Sequence, residues 1–291
     1  MTWLTIMDSG LARRADLLAS GSRGGNLRTN RGRRVGAVAW QRLIASQASD
    51  WRAAVADVTI PTSAGGMPGY LSRPDGQGPW PGVVVLHDGF GIDQAVREQA
   101  DWLAGAGYLA LSADLGFWGR PAVCLVRMFR ELRAGRGQTF GQIDAARAWL
   151  AGQPGCNGRI GVIGFCATGG FALLTAAGHG FGVSAVNYGL VRRNAAGALP
   201  GACPIVASFG ARDRALRKAP QRLARAAEEL GIEHDIKVYP DAGHAFLQQS
   251  AGQPGPVAGI LARITHAGYH EASARDARSR MIAFFDAHLK Q

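Results

Sequence analysis

From Val55 onward the sequence alternates short, uninterrupted apolar runs with longer stretches of helical periodicity, and this alternation admits few folds. Residues 82–87 (GVVVLH) form a β-branched run suited to a strand buried on both faces. Comparable runs at 108–113, 159–164, 183–188, 204–209 and 234–239 predict further strands. Helices are expected near 95–106, 123–134, 142–151, 168–177 and 216–230, with 274–289 closing the chain. Ahead of this series, 55–61 and 67–73 read as a hairpin turning around Ala64-Gly65-Gly66. The pattern predicts an α/β fold in one domain over 53–291, a mostly parallel central sheet with helices on both faces.

The first 52 residues break that pattern. They carry nine Arg against three Asp, a net of +6, whereas the remaining 239 residues add only +5 to reach the chain's +11. Only Lys218, Lys237 and Lys290 among the 32 basic residues are lysine, a bias that fits genome composition as well as it fits polyanion binding. The segment SGSRGGNLRTNRGRRVG lacks apolar periodicity and predicts a disordered N-terminal extension. Arg13-Arg14 is not followed by the apolar region of an export signal. No specific nucleic-acid partner is expected. Four cysteines (Cys124, Cys156, Cys166, Cys203) without CxxC pairing argue against a zinc module or a secreted disulfide framework. No apolar run approaches the ~18 residues of a membrane span. A soluble cytoplasmic protein without membrane association is expected.

The stretch RIGVIGFCATGG (159–170) carries the chemistry. A buried strand runs into Gly164-Phe165-Cys166-Ala167-Thr168-Gly169-Gly170 and a helix follows, the setting of a nucleophile elbow that lifts one side chain above the sheet's carboxyl edge. The helix N-terminus there would favour a thiolate and an oxyanion. The strict G-x-nucleophile-x-G form is not met, because Thr168 holds the second glycine's place. A Cys after a buried strand is otherwise most often a small core residue.

Its partners follow in order. The strand ending in GARD places Asp213 in a loop at its carboxyl end, and the strand ending in PDAGHAF does the same for His244. Nucleophile, acid and His in that sequence is the α/β-hydrolase order. His244 would move the proton, and Asp213 would fix its tautomer and orientation. A helix cap is the other reading of Asp213, and Asp241 is a rival carboxylate that suits a turn role better. The amide of Ala167, directly after Cys166, is one candidate oxyanion-hole donor. His87 ends a strand and is expected to pack.

The sequence resembles the dienelactone hydrolase family of α/β hydrolases from about Val55 to Leu289. The likeness rests on HDGFGIDQAVREQADWLAGAGYLALSADL, GFCATGG, AVNYG, GARD and DAGHAF. It implies Cys166 as nucleophile, Asp213 as orienting acid, His244 as base and Gly89 as the second oxyanion donor. Asp88 stands where the family carries a glutamate that partners the thiol, so Asp88 is implied as thiol partner, one methylene shorter. The family's enzyme holds its substrate carboxylate with arginines, one of them four residues after the catalytic His. Here that position is Gln248. The second arginine falls where Arg120, Arg127, Arg130 and Arg133 are candidates, with Arg127 and Arg130 on neighbouring helix positions. Phe117, Trp118 and Phe129 could line an apolar pocket or serve the core.

The expectation is a cysteine-dependent hydrolase of a small-molecule ester or lactone, acting through a thioester, with no metal or organic cofactor. The alternatives are a binding protein on the same fold that has lost turnover, or a redox-responsive thiol protein.

Overall fold

The computed structural model describes residues 54–87, 91–116, 121–249 and 265–291. The Arg-rich segment 1–52 lies outside the described residues. In chain order the elements are β1 (Ala54–Thr62), β2 (Gly65–Arg73), β3 (Trp80–Leu86), α1 (Gln94–Gly105), β4 (Leu109–Ala113), α2 (Pro121–Ala134) and α3 (Gln138–Ala151). Then follow β5 (Cys156–Phe165), α4 (Ala167–Thr175), β6 (Val183–Asn187), β7 (Ile205–Gly210), α5 (Ala219–Leu230), β8 (His234–Tyr239) and α6 (Glu271–Leu289).

Among the described residues the strands form one eight-stranded sheet in the order β1-β2-β4-β3-β5-β6-β7-β8. β1 and β2 are antiparallel to each other and β2 is antiparallel to β4, while every pairing from β4 through β8 is parallel. Alternate residues of β3 feed opposite cores, as the two-residue period of a strand requires. Val83 and Val85 join one apolar cluster with α1, α5 and α6, whereas Val84 and Leu86 join another with α2 and α3. Helices therefore cover both faces.

Two elements differ from expectation for local reasons. The β1–β2 turn is Ser63-Ala64, with Thr62 paired to Gly65, so Gly65 and Gly66 belong to the strand rather than the turn. The Thr62 hydroxyl fixes this register: it accepts from the Ala64 amide (3.3 Å) and donates to the Gly65 carbonyl (2.7 Å). Helix α3 starts a turn early, at Gln138, behind a glycine that cannot cap it. The cap comes from α2, where the Glu131 carboxylate accepts from the amides of Gln138 (3.2 Å) and Thr139 (2.9 Å).

The parallel register brings the carboxyl ends of β3, β5, β6, β7 and β8 to one edge, where loops can present side chains free of ladder hydrogen bonds.

Candidate active site

At the end of β5 the chain turns directly into α4, and Cys166 is the turn. Its backbone lies at φ 56°, ψ −121°, a conformation that a residue with a Cβ adopts only when its surroundings impose it. Its amide donates to the Asn187 carbonyl at the end of β6 (3.1 Å), and its side chain is only partly buried. The strand-to-helix turn predicted for RIGVIGFCATGG is thus present, with the thiol at its apex. Ala167 begins α4, so its N–H belongs to the first turn, where amides have no intrahelical acceptor.

Asp213 follows β7 and is fully buried. One carboxylate oxygen accepts from the amides of Ala215 (3.0 Å) and Leu216 (3.4 Å), which holds the loop. The other lies 2.6 Å from His244 Nδ1. The capping and orienting readings of Asp213 meet in one side chain, although α5 itself starts later, after Lys218. Asp241 turns outward to Arg212 (3.2 Å).

His244 follows β8 and is pinned by backbone on both sides. Its amide donates to Thr265 (3.0 Å), and its carbonyl accepts from the Gly268 amide (3.0 Å). This docking needs a glycine beside it, because a Cβ at Gly243 would fall 1.8 Å from the His266 carbonyl oxygen. Burial pushes the His244 pKa down, but hydrogen bonds to Asp213 and to the Cys166 sulfur, with the negative charge on both partners, outweigh it and raise the value to about 10. With Nδ1 committed to Asp213, Nε2 is the nitrogen left for Cys166. The arrangement lines up a cysteine sulfur, an imidazole and a buried carboxylate.

The sequence profile of the dienelactone hydrolase family matches residues 67–289. The chain belongs to that family. A carboxymethylenebutenolidase from Pseudomonas putida is 28% identical over 229 residues, covering 74% of this chain and 89% of that protein. A candidate dienelactone hydrolase from Klebsiella pneumoniae superposes with a TM-score of 0.64 at 26% identity, covering 79% of this chain and 97% of that one. A dienelactone hydrolase from Anabaena variabilis, at 17% identity and a TM-score of 0.60, covers 82% and 99% and speaks to the fold alone.

Asp88, Gly89, Arg120, Phe117 and Trp118 lie outside the described residues. Gln248 sits one turn beyond His244, is 4% exposed, and donates its backbone N–H to the Ala245 carbonyl (3.2 Å). Arg127 and Arg130 part company on α2. Arg127 turns inward, with Gln138 Oε1 at 3.3 Å, the Leu115 carbonyl at 3.5 Å and Glu131 at 3.9 Å, whereas Arg130 is exposed. His87 is buried and ties two loops, accepting from the Leu115 amide at Nε2 (2.9 Å). Among the described residues no group of three or more His, Cys, Asp or Glu is placed to hold a metal ion. Nor is any helix there long and apolar enough to cross a membrane.

Two residues shape this dienelactone hydrolase family site beyond the predicted set. Tyr188 follows β6 at φ 39° and is buried, its ring centroid 5.0 Å from that of His244. It forms the wall behind the imidazole, and its only trace in the sequence is the AVNYG segment. Thr168, a departure from the elbow motif, is fully buried. Its hydroxyl accepts from the Phe165 amide (3.1 Å) and lies within donating distance of the Phe165 (2.9 Å) and Leu86 (3.1 Å) carbonyls. The hydroxyl staples the elbow to the end of β3. Thr168→Val keeps the shape but leaves the Phe165 amide without this acceptor, a loss of about 1–3 kcal/mol. Urea unfolding read alongside kcat should show both falling, while Thr168→Ser retains both.

Proposed function

We propose that this dienelactone hydrolase family enzyme cleaves small carboxylic esters or lactones by covalent catalysis from Cys166. The single observation that carries the reading is His244 held 2.6 Å from buried Asp213, its pKa raised in part by Cys166, a cysteine on a left-handed elbow. The Cys166 thiolate attacks the carbonyl carbon, and the oxyanion takes hydrogen bonds from the Ala167 amide and, by the family resemblance, the Gly89 amide. The carbonyl–oxygen bond to the leaving group breaks, and the His244 imidazolium supplies that group's proton. The acyl group is left on Cys166 as a thioester.

Acylation itself arms the second half. Two of the influences that raise the His244 pKa come from the Cys166 thiolate, and both vanish once the sulfur is acylated. The imidazole, now neutral, takes a proton from water. The resulting hydroxide adds to the thioester, and the carboxylic acid and thiolate separate with the imidazolium restored. Asp88 is assigned as thiol partner from the resemblance. Asp88→Ala is expected to lower kcat/KM at neutral pH and to shift its acidic limb upward; an unchanged pH–rate profile would make Asp88 merely structural.

Cys156, Cys166 and Cys203 are free thiols, in keeping with a reducing, cytoplasmic setting. The direct test is a panel of aryl esters and enol-lactones, dienelactone included. Turnover of aryl esters with dienelactone outside the first rank supports the reading of Gln248 as an uncharged substitute for the family arginine. Dienelactone ranking first would overturn that part, and no turnover across the panel would overturn the whole.

A further inference from the structure

Two adjoining clefts lie beside the elements that carry Cys166 and Asp213, and they share Leu190 and Val191. The larger, about 880 Å³, has apolar walls of Phe129, Leu132, Leu190 and Val191 with Arg133, Arg192 and Arg193 around them. It abuts the first turn of the nucleophile helix, since a Cβ at Gly170 would lie 2.9 Å from Leu132 and 3.2 Å from the Leu190 carbonyl. The smaller, about 190 Å³, is formed by the loop after Asp213 and carries Arg214, Arg217, Lys218 and Arg222. Its Ala215 and Leu216 are the residues whose amides hold the Asp213 carboxylate.

No carboxylate lines either cleft. Some exposed cations elsewhere are matched, Arg97 with Asp57, Arg212 with Asp241, Lys237 with Asp276 and Arg275 with Glu271, whereas Arg130, Arg136 and Arg225 are exposed without an ion pair among the described residues. None of the seven cleft cations has an ion-pair partner among the described residues. Seven unopposed cations beside one apolar trough repel one another, and a ligand relieves more of that repulsion the more negative charge it brings. Phe129 (44%) and Leu190 (40%) are also large apolar side chains left exposed at the same place. A ligand that relieves both has an apolar body and a multiply charged anion, for which the guanidinium fork is the fitting partner.

We infer that these clefts bind an ester substrate whose apolar, non-reacting part carries a phosphate group, the trough taking the apolar body and the arginines the phosphate. This deepens the ester-hydrolase reading and rests on it. The test is equilibrium binding, by calorimetry on the full chain, of 1-naphthyl phosphate against 1-naphthoate and inorganic phosphate. Binding needs no turnover, so its outcome stands apart from that of the ester panel.

The expected order is naphthyl phosphate tighter than either control by about tenfold or more, a step of roughly 1.4 kcal/mol. The paired changes Arg192→Glu with Arg193→Glu, and Arg217→Glu with Arg222→Glu, should each weaken it about tenfold or more. The neutral pair Arg192→Gln with Arg193→Gln should give an intermediate loss with an unchanged melting temperature. Naphthyl phosphate should also inhibit phenyl acetate hydrolysis competitively. Equal binding of all three probes, or binding indifferent to charge reversal, would overturn the proposal. So would a clear preference for a short oligonucleotide or for anionic lipid vesicles, which would make the clefts a polyanion surface.

Discussion

Cys166→Ala is expected to lower kcat on an aryl ester by at least about 10⁴-fold while leaving the fold intact, because the proposed mechanism has no substitute for its nucleophile. Cys166 is only partly buried, and the backbone of the turn, not its sulfur, makes the contact to Asn187. Alanine should therefore be accommodated, and circular dichroism with steady-state kinetics separates the two effects. The same change removes the sulfur that helps raise the His244 pKa, so the imidazole should titrate lower in the variant. Histidine ring NMR shifts followed against pH would read this directly. Substantial turnover surviving in Cys166→Ala would end the covalent account.

Asp213→Asn carries the second large effect, a fall in kcat of about 10²–10⁴-fold. The carboxylate is fully buried, and its two oxygens hold the loop amides and the imidazole separately. An amide can keep one of these contacts but not both the charge and the tautomer. The pH dependence follows from the sign of the His244 shift. Its folded-state pKa, about 10, lies above the ordinary value of 6.5. The triad's contribution to stability is therefore complete below about 6.5 and is lost as pH rises from there through about 10. Asp213→Asn should shrink that alkaline loss and move the alkaline limit of kcat/KM downward. Thermal unfolding between pH 6 and 10.5, wild type against variant, measures it.

The parts legible in the sequence are those set by local pattern. The β-branched runs gave the central strands because parallel strands buried on both faces need uninterrupted apolar side chains. The order Cys166, Asp213, His244 was legible because each follows one of those strands, and the loops at their carboxyl ends converge in a parallel sheet. What escaped was set by tertiary partners. Nothing local announces that Glu131 caps α3 from the preceding helix, so the start of that helix read four residues late. Thr168 read as a defect in a glycine motif, yet its hydroxyl reaches Leu86, 82 positions away in sequence. Arg127 and Arg130 looked equivalent on a helical wheel until Gln138, Glu131 and the Leu115 carbonyl drew one of them inward. The cationic clefts were hidden for a related reason: Arg133, Arg192 and Arg217 are far apart along the chain and meet only around Leu190 and Val191.

The central claim is that a carboxylic acyl group passes through the Cys166 sulfur. Rapid acid quench of the enzyme with 4-nitrophenyl butyrate, followed by peptide mass spectrometry, tests it most directly. The account predicts a butyryl adduct on the peptide bearing Cys166, released by neutral hydroxylamine, accumulating further when Asp213→Asn slows deacylation. Steady turnover with the adduct on another residue, or with the Cys166 peptide unmodified at every quench time, would contradict it.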